Sequence, residues 1–154
     1  MRRKDKEITD MTEIRAIMEN ATICHLAMSE ENRPYVIPVN FGIKDNNIYI
    51  HSALEGKKMD IIERNNNVCV EMDIDHEVEI GRRPCISGTK YKSVIAFGKA
   101  FFIDDLEEKK KALNVILDHY STDGPYEFQE KEVNRVSIIK IELEKISGKK
   151  SGYQ

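Results

Sequence analysis

Two adjacent lysines stand where a predicted strand gives way to a predicted helix. Ile48–Ile50 favours a short strand, Ser52 follows with a hydroxyl group, and Gly56 lets the chain turn into a helix. The first backbone N–H groups of a helix have no internal partner, and the helix dipole makes that end positive. A phosphate there would meet these donors and the ammonium groups of Lys57 and Lys58. The pattern indicates an anion site; the alternative is a solvated lysine pair on a surface helix.

The composition indicates one soluble domain spanning residues 1–154. The chain is 40% hydrophobic and 33% charged, which is typical of globular proteins. A net charge of −3 argues against nucleic acid as a partner. No apolar stretch reaches the length of a membrane span, and the first ten residues lack the apolar core of a signal peptide. We therefore expect a cytoplasmic protein that binds neither nucleic acid nor membrane.

The three cysteines do not indicate a metal site. Cys24, Cys69 and Cys85 are widely spaced and form no CxxC pair, and the histidines add no metal-ligand spacing. Cys24 and Cys69 lie within apolar runs, where cysteine is usually a small core residue. Cys85 is the cysteine that we expect to be exposed, and we expect no bound metal.

Periodicity predicts a chain made mostly of strands, with three helices. The first helix follows a capping pattern at Asp10–Glu13, the second spans Lys57–Arg64, and the third runs from about Leu106 to Tyr120. The predicted strands are Ala21–Met28, Tyr35–Ile43, Asn47–His51, Val68–Asp73, Ser93–Ile103 and Val136–Leu143.

This order of elements predicts a mainly β fold with flanking helices. Hairpin-linked strands form an antiparallel sheet, which we expect to curl into a barrel and so remove its exposed edges. Residues 74–90 are expected to be irregular, and residues 1–8 and 147–154 to be flexible.

Four segments in this order resemble the flavin-binding split-barrel superfamily typified by pyridoxamine 5′-phosphate oxidase, and most closely its nitroimidazole-resistance-type members. The segments are MRRKDKEI, CHLAMSEENRPYVIPVNFG, IYIHSALEGKKMDII and YKSVIAFGKAFFIDDLEEKKKAL. The resemblance implies an antiparallel split β-barrel that binds flavin mononucleotide (FMN) noncovalently. It also implies a homodimer with one FMN at each subunit boundary.

The resemblance assigns roles to particular positions. The flavin is expected to lie against the second strand, at Ile37, Pro38, Val39 and Asn40. Phosphate contacts are expected from His51, Ser52, Lys57 and Lys58. Ser93, at the start of the long strand, is expected near the flavin, often from the partner subunit. The four strand residues also suit a buried barrel strand, and Ser93 also suits a neutral edge position.

Two departures separate the chain from the vitamin B6 oxidases of this superfamily. Those enzymes carry an arginine where this chain has Ile37, so one cationic contact to the phosphate is missing. They also end in a segment with tryptophan and arginine, whereas this chain has no tryptophan and ends in KISGKKSGYQ. We therefore do not expect oxidation of pyridoxamine phosphate.

His51 is the candidate catalytic residue. An imidazole beside a flavin could relay a proton during reduction of a bound acceptor. The alternative is a histidine that only donates a hydrogen bond to phosphate or to a backbone carbonyl. Of the other histidines, we expect His25 to be half-buried, and His76 and His119 to face solvent.

The expected function is FMN-dependent reduction of a small electrophilic substrate, such as the nitroaromatic 5-nitroimidazole. The electron donor is expected to be NAD(P)H or another reductant, and a nicotinamide would bind transiently because the chain has no GxGxxG fingerprint. Two alternatives stay open: a flavin carrier or redox sensor without turnover, and a protein that binds haem.

Overall fold

The computed structural model describes Arg3 to Tyr153, and one antiparallel sheet of eight strands dominates it. The strands are β1 (Glu7–Ile8), β2 (Cys24–Glu30), β3 (Arg33–Val39), β4 (Gly42–Lys44), β5 (Asn47–Ser52), β6 (Asn67–Glu79), β7 (Gly88–Ile103) and β8 (Ser137–Ser151). The helices are α1 (Met11–Asn20), α2 (Lys57–Arg64), α3 (Leu106–Asp118) and α4 (Glu130–Val133), with 3-10 turns at Lys4–Lys6 and Pro84–Ile86. In this part of the chain, none of the helices is long and apolar enough to span a membrane.

The sheet follows the order β3-β2-β6-β7-β8-β5-β4, with β1 added beside β8. Its two edge strands, β3 and β4, are consecutive in sequence and are joined only by Asn40 and Phe41. Within Arg3–Tyr153, no ladder of hydrogen bonds connects these two edges. The predicted antiparallel fold is confirmed, but the expectation that barrel closure removes the edges is wrong. The predicted strand Tyr35–Ile43 is in fact two strands, because the chain breaks at this link.

The core lies on one face of the sheet and is closed by α1 and α2. Asp10 caps α1 by accepting a hydrogen bond from the Thr12 N–H, and the helix buries Ile14, Ile17 and Met18 on one face. The core residues of α2 are Met59, Ile61 and Ile62. The strands contribute alternate residues to the same core, among them Leu26, Ile48, Ile50, Val70, Met72, Val94, Ile139 and Ile141.

Phe41 fixes the link between the two edge strands. Its side chain is 0% exposed, and its ring lies 4.3 Å from the His119 ring, centroid to centroid. The Phe41 N–H donates to Tyr120 Oη at 3.0 Å, and that hydroxyl donates to the Thr22 carbonyl at 3.1 Å. His119 Nε2 lies 2.7 Å from the Ala21 carbonyl oxygen. The expectation that His119 faces solvent is therefore wrong, because its ring helps to hold this junction.

Helix α3 packs closely on the outer side of β4. A Cβ on Gly42 would lie 2.3 Å from the Val115 carbonyl oxygen, so only glycine permits this approach of strand and helix. Ala112 and Ile116 of α3 are buried, as are Val133 of α4 and Ile138 of β8.

Three segments that the sequence left irregular or flexible are paired strands. β6 continues to Glu79 and β7 begins at Gly88, so residues 74–79 and 88–90 form a ribbon with one bulge. β8 continues to Ser151 beside β7, and Glu7–Ile8 pairs with β8. The prediction of irregular structure over 74–90 is wrong for these two stretches and correct for residues 80–87, which connect them without strand structure. Residues 7–8 and 147–151 differ from the flexible ends expected. Residues 1, 2 and 154 lie outside the described residues.

Replacing Tyr120 with Phe should destabilise the protein by about 1–2 kcal/mol, because the Phe41 N–H loses its acceptor. The matched control is Tyr126→Phe, whose hydroxyl donates only to Ser121 Oγ, five residues away. We expect the control to change stability by less than about 0.5 kcal/mol. Urea unfolding at a constant m-value measures both, and equal midpoints for the two variants would contradict the role given to Tyr120.

Candidate flavin-binding site

Helix α2 begins without a side-chain cap. Gly56 precedes it with φ 132° and has no side chain, and its carbonyl accepts from the N–H groups of Met59 at 2.8 Å and Asp60 at 3.1 Å. The N–H groups of Lys57 and Lys58 lie ahead of the first hydrogen bonds of the helix, so the helix itself offers them no acceptor. The predicted helix and its glycine turn are confirmed, and its start presents free donors to an anion.

The two lysines at this helix start differ in their surroundings. Lys57 is exposed, and its Nζ lies 4.4 Å from the centroid of the Tyr35 ring, a cation–π contact. Lys58 is half-buried, and burial lowers the pKa of its ammonium group. Within residues 3–153, neither lysine belongs to an ion pair. A bound phosphate would give these two ammonium groups a negatively charged partner, so this helix start fits a phosphate-bearing cofactor.

Helix α2 lies beside the hairpin of β2 and β3. Arg64 at its end pairs with Glu30, and the Asn65 side-chain amide donates to the Ser29 carbonyl at 3.0 Å. At the other end, the contact between Lys57 and Tyr35 places the helix start against β3. The candidate phosphate site and the candidate flavin strand are therefore neighbours in one chain.

The four strand residues expected beside the flavin do not share one face. Ile37 and Val39 are half-buried and pack against the core, whereas Pro38 and Asn40 are exposed on the other side. β3 is also an edge strand, so one side of its backbone faces no other described strand. Edge N–H and C=O groups can hydrogen-bond to the polar rim of a planar ring. The backbone of β3, more than its side chains, therefore fits a flavin ring.

His51 and Ser52 end β5 with side chains on opposite faces. Ser52 is 7% exposed, lies on the core face and stands opposite Ser137 of β8. His51 is exposed and stands opposite Ile138. The imidazole is therefore open to a ligand outside the sheet, whereas the serine hydroxyl is reached from the inner side.

Ser93 lies far from His51 within one chain. It is buried on β7, opposite Lys149 of β8, whereas His51 stands opposite Ile138 of the same strand. Eleven residues of β8 separate these two positions, which is roughly 35 Å along a strand. One chain therefore does not bring Ser93 to the His51 end of the sheet.

Tyr35 is the residue of this region that sequence reasoning missed as a site residue. It lies on a predicted strand, and nothing local shows that its ring meets a lysine 22 positions later. Among the cysteines, Cys24 is buried, and burial raises its pKa to about 12, as suits a core thiol. Cys69 is only half-buried on the outer face, and Cys85 is exposed. In the described residues, no group of three or more His, Cys, Asp or Glu side chains could hold a metal.

Comparisons with known proteins agree with this arrangement. The profile of the family described as pyridoxamine 5′-phosphate oxidase matches residues 10–150. The crystal structure of a proposed 5-nitroimidazole antibiotic resistance protein from Bacteroides thetaiotaomicron is 33% identical, with a TM-score of 0.83 over 93% of this chain and 85% of that one. A comparison with curated proteins gave no match.

Two further structures share the fold at 18% identity. The flavocytochrome Anf3 from Azotobacter vinelandii has a TM-score of 0.87, covering 99% of this chain and 72% of its own. The FAD and haem binding protein from Mycobacterium smegmatis has a TM-score of 0.85, covering 96% and 74%. The profile match and the 33% identical relative, together with the fold, establish that this chain belongs to the flavin-binding family of pyridoxamine 5′-phosphate oxidase-like proteins.

Proposed function

We propose that the protein binds FMN noncovalently at the subunit boundary of a homodimer and reduces a small electrophilic substrate, such as a nitroaromatic. The observation that carries the proposal is the uncapped start of α2, where two lysines with no carboxylate partner among residues 3–153 lie beside the edge strand β3. The 33% identical protein described by its resistance to 5-nitroimidazoles supports this class of substrate.

In this proposal, Lys57 and Lys58 bind the FMN phosphate together with the free N–H groups of α2. The contact with Tyr35 holds Lys57 toward β3, so its side chain loses less freedom on binding. The backbone of Ile37–Asn40 orients the flavin ring through its free edge. His51 and Ser52, at the end of β5, complete the site from the two faces of that strand.

The homodimer is proposed because an apolar row runs across the outer face of four strands. Phe97 of β7 is paired with Cys69 of β6, Cys69 is paired with Ala27 of β2, and Ala27 is paired with Val36 of β3. Phe97 is 49% exposed and Val36 is 61% exposed, and Ile95 and Phe101 flank the row on β7. A second copy would cover this face and could bring its Ser93 to the flavin, which one chain does not do.

The bound flavin would supply the electron-transfer chemistry. Within this proposal, His51 donates a proton to the reduced substrate, because its exposed imidazole lies outside the sheet at the end of β5. NAD(P)H would bind transiently as the reductant. Oxidation of pyridoxamine phosphate is not proposed, since Ile37 replaces the arginine of the B6 oxidases and the chain has no tryptophan.

A second candidate is a carrier or sensor that binds flavin or haem without turnover. Two structures with the same fold are described as a flavocytochrome and as a protein that binds FAD and haem. The visible spectrum of the purified protein shows which of the two cofactors is bound. Two flavin bands fit the main proposal and a flavin carrier alike, whereas a sharp Soret band would favour haem.

Replacing Lys57 and Lys58 with Ala should weaken FMN binding by roughly tenfold to a thousandfold, because two charge-assisted contacts are lost. Riboflavin, which has no phosphate, should bind the variant and the unaltered protein equally well. The matched control replaces Lys110 and Lys111, an adjacent pair on α3. Titration of the three apoproteins with FMN and with riboflavin measures all six affinities, and unchanged FMN binding by the Lys57 and Lys58 variant would refute the phosphate assignment.

The flavin-loaded protein should sediment at about twice the chain mass of 17.8 kDa. Replacing Phe97 with Asp should shift it toward monomer and lower its flavin content, because a charge enters the apolar row. Met11→Asp is the control, since Met11 is 48% exposed but lies on α1. A monomer that carries a full complement of flavin would rule out the shared site.

Replacing His51 with Asn should distinguish a catalytic enzyme from a carrier. If His51 donates the proton, flavin stays bound while oxidation by a nitroimidazole slows by about 10²–10⁴. If His51 only seats the cofactor, binding weakens and the rate per bound flavin is unchanged. Stopped-flow oxidation of the photoreduced protein measures both, with His76→Asn as an exposed histidine control. An unaltered rate at full occupancy would remove His51 from the mechanism.

A further inference from the structure

Residues 77–90 form a two-stranded arm that extends beyond the rest of the sheet. β6 last pairs with β2 at Glu71, and β7 first pairs with β8 at Tyr91. Beyond these positions β6 and β7 pair only with each other, from Glu77 opposite Lys90 to Glu79 opposite Gly88. An isolated ribbon of this kind is marginally stable in water. Contacts at its base and tip therefore decide whether it keeps one conformation.

The base of the arm is fixed by a bulge. The register between β6 and β7 shifts between Ile74 and Glu77, and Asp75 within the bulge has φ 57°. Tyr153 Oη donates to the Asp75 carbonyl at 2.7 Å, and Lys92 Nζ lies 2.9 Å from Asp75 Oδ2. Bulges re-aim a strand, and these two contacts hold this one in place. The arm therefore projects in a set direction.

The tip of the arm presents apolar and cationic side chains to solvent. Ile80 is 82% exposed, and Ile86 is also exposed. Gly81 lies in the turn and packs against Ile86, and its N–H donates to Ser87 Oγ at 3.1 Å, so the turn is compact. An exposed apolar tip of this kind indicates an interaction surface.

Charged side chains in the stem of the arm, where β6 and β7 pair, have ion-pair partners, whereas those at the tip have none in the described part of the chain. Lys90 Nζ lies 2.9 Å from Glu79 and 3.5 Å from Glu77, so the stem carboxylates have an internal partner. Arg82 and Arg83 are exposed, and in the described part of the chain neither takes part in an ion pair. The tip therefore suits a partner surface that is apolar and acidic.

We propose that this tip docks on helix α2 of a second copy, an inference that rests on the homodimer proposed above. Leu54 is exposed just before α2, and Asp60 and Glu63 lie exposed on successive turns of the helix. Neither carboxylate is in an ion pair among residues 3–153. Ile80 and Ile86 would cover Leu54, and the two arginines would face the acidic turns.

The arm is continuous with the part of β7 that carries Ser93. The proposed homodimer brings Ser93 to the flavin of the second copy, and α2 of that copy lies beside its flavin site. From Asp73, opposite Ser93, to Ile80 the chain spans about 23 Å when extended, whereas α2 is about 12 Å long. The arm is therefore long enough to lie along the whole helix. Lys57 and Lys58 repel arginine, which directs the tip to the later turns.

Charge reversal tests the contact. Arg82→Glu with Arg83→Glu should weaken dimerisation by roughly ten- to a hundredfold, since like charges then face each other. Asp60→Lys with Glu63→Lys should weaken dimerisation similarly. A fourfold variant, which carries all four substitutions, should recover most of the loss. Sedimentation of the FMN-saturated protein over a dilution series measures the dimer dissociation constant of each variant. Lys131→Glu with Arg135→Glu, both exposed near α4, is the matched control.

The outcomes separate this inference from the function on which it rests. Unchanged dimerisation of the Arg82 and Arg83 variant would show that the arm lies outside the interface, while the dimer itself stands. Weakening without recovery in the fourfold variant would place the tip on a surface other than α2. An unaltered protein that is monomeric throughout would instead remove the homodimer, and the arm proposal with it.

Discussion

The two-residue link between β3 and β4 is the constraint on which the rest of the structure depends. Because Asn40 and Phe41 join the two edges covalently, the sheet curls without a ladder between them. Phe41 can hold this link only because its ring and its N–H find partners on the end of α3. The same arrangement leaves the backbone of β3 free along one side, yet fixed in position. A cofactor that needs backbone hydrogen bonds finds them on such an edge and would not find them in a closed barrel.

The sequence predicted well those elements that depend on neighbouring residues. The capping residue Asp10 and the apolar spacing of α1 lie within ten positions, as do the glycine and the lysines of α2. The break at Asn40 was missed because Asn40 is a single polar residue in the otherwise mostly apolar segment Tyr35–Ile43. Phe41 is distinguished from a strand residue by its contacts with His119 and Tyr120, which lie far away in the sequence. The polar residues of 147–151 resemble a flexible end, but β7 and β1 pair with them. Pairing at long range has no local signal in the chain.

The candidate site also has one part that neighbouring residues predict and another part that depends on distant strands. The anion site proposed at Lys57 and Lys58 could be predicted because strand, glycine, lysines and the start of the helix follow one another in one short segment. The contact between Lys57 and Tyr35, and the separation of Ser93 from His51, depend on how distant strands are ordered. Residue types alone therefore predict the proposed phosphate end of the site. The proposed ring end, which involves the β3 edge and a second copy, depends on the topology.

This division also bears on how one fold serves different substrates. Phosphate binding at a helix start needs only a short segment and backbone groups, so it survives when the rest of the sequence changes. In the proposed homodimer, recognition of a substrate would need side chains from distant strands and from a second chain, and the resemblance implies that Ile37 and the absence of tryptophan remove those of the B6 oxidases. The fold can therefore be shared across the family while the substrate differs. On this proposal, the residues that determine the substrate would lie where the two chains meet, near the free edge of β3, the imidazole of His51 and the outer face of β7.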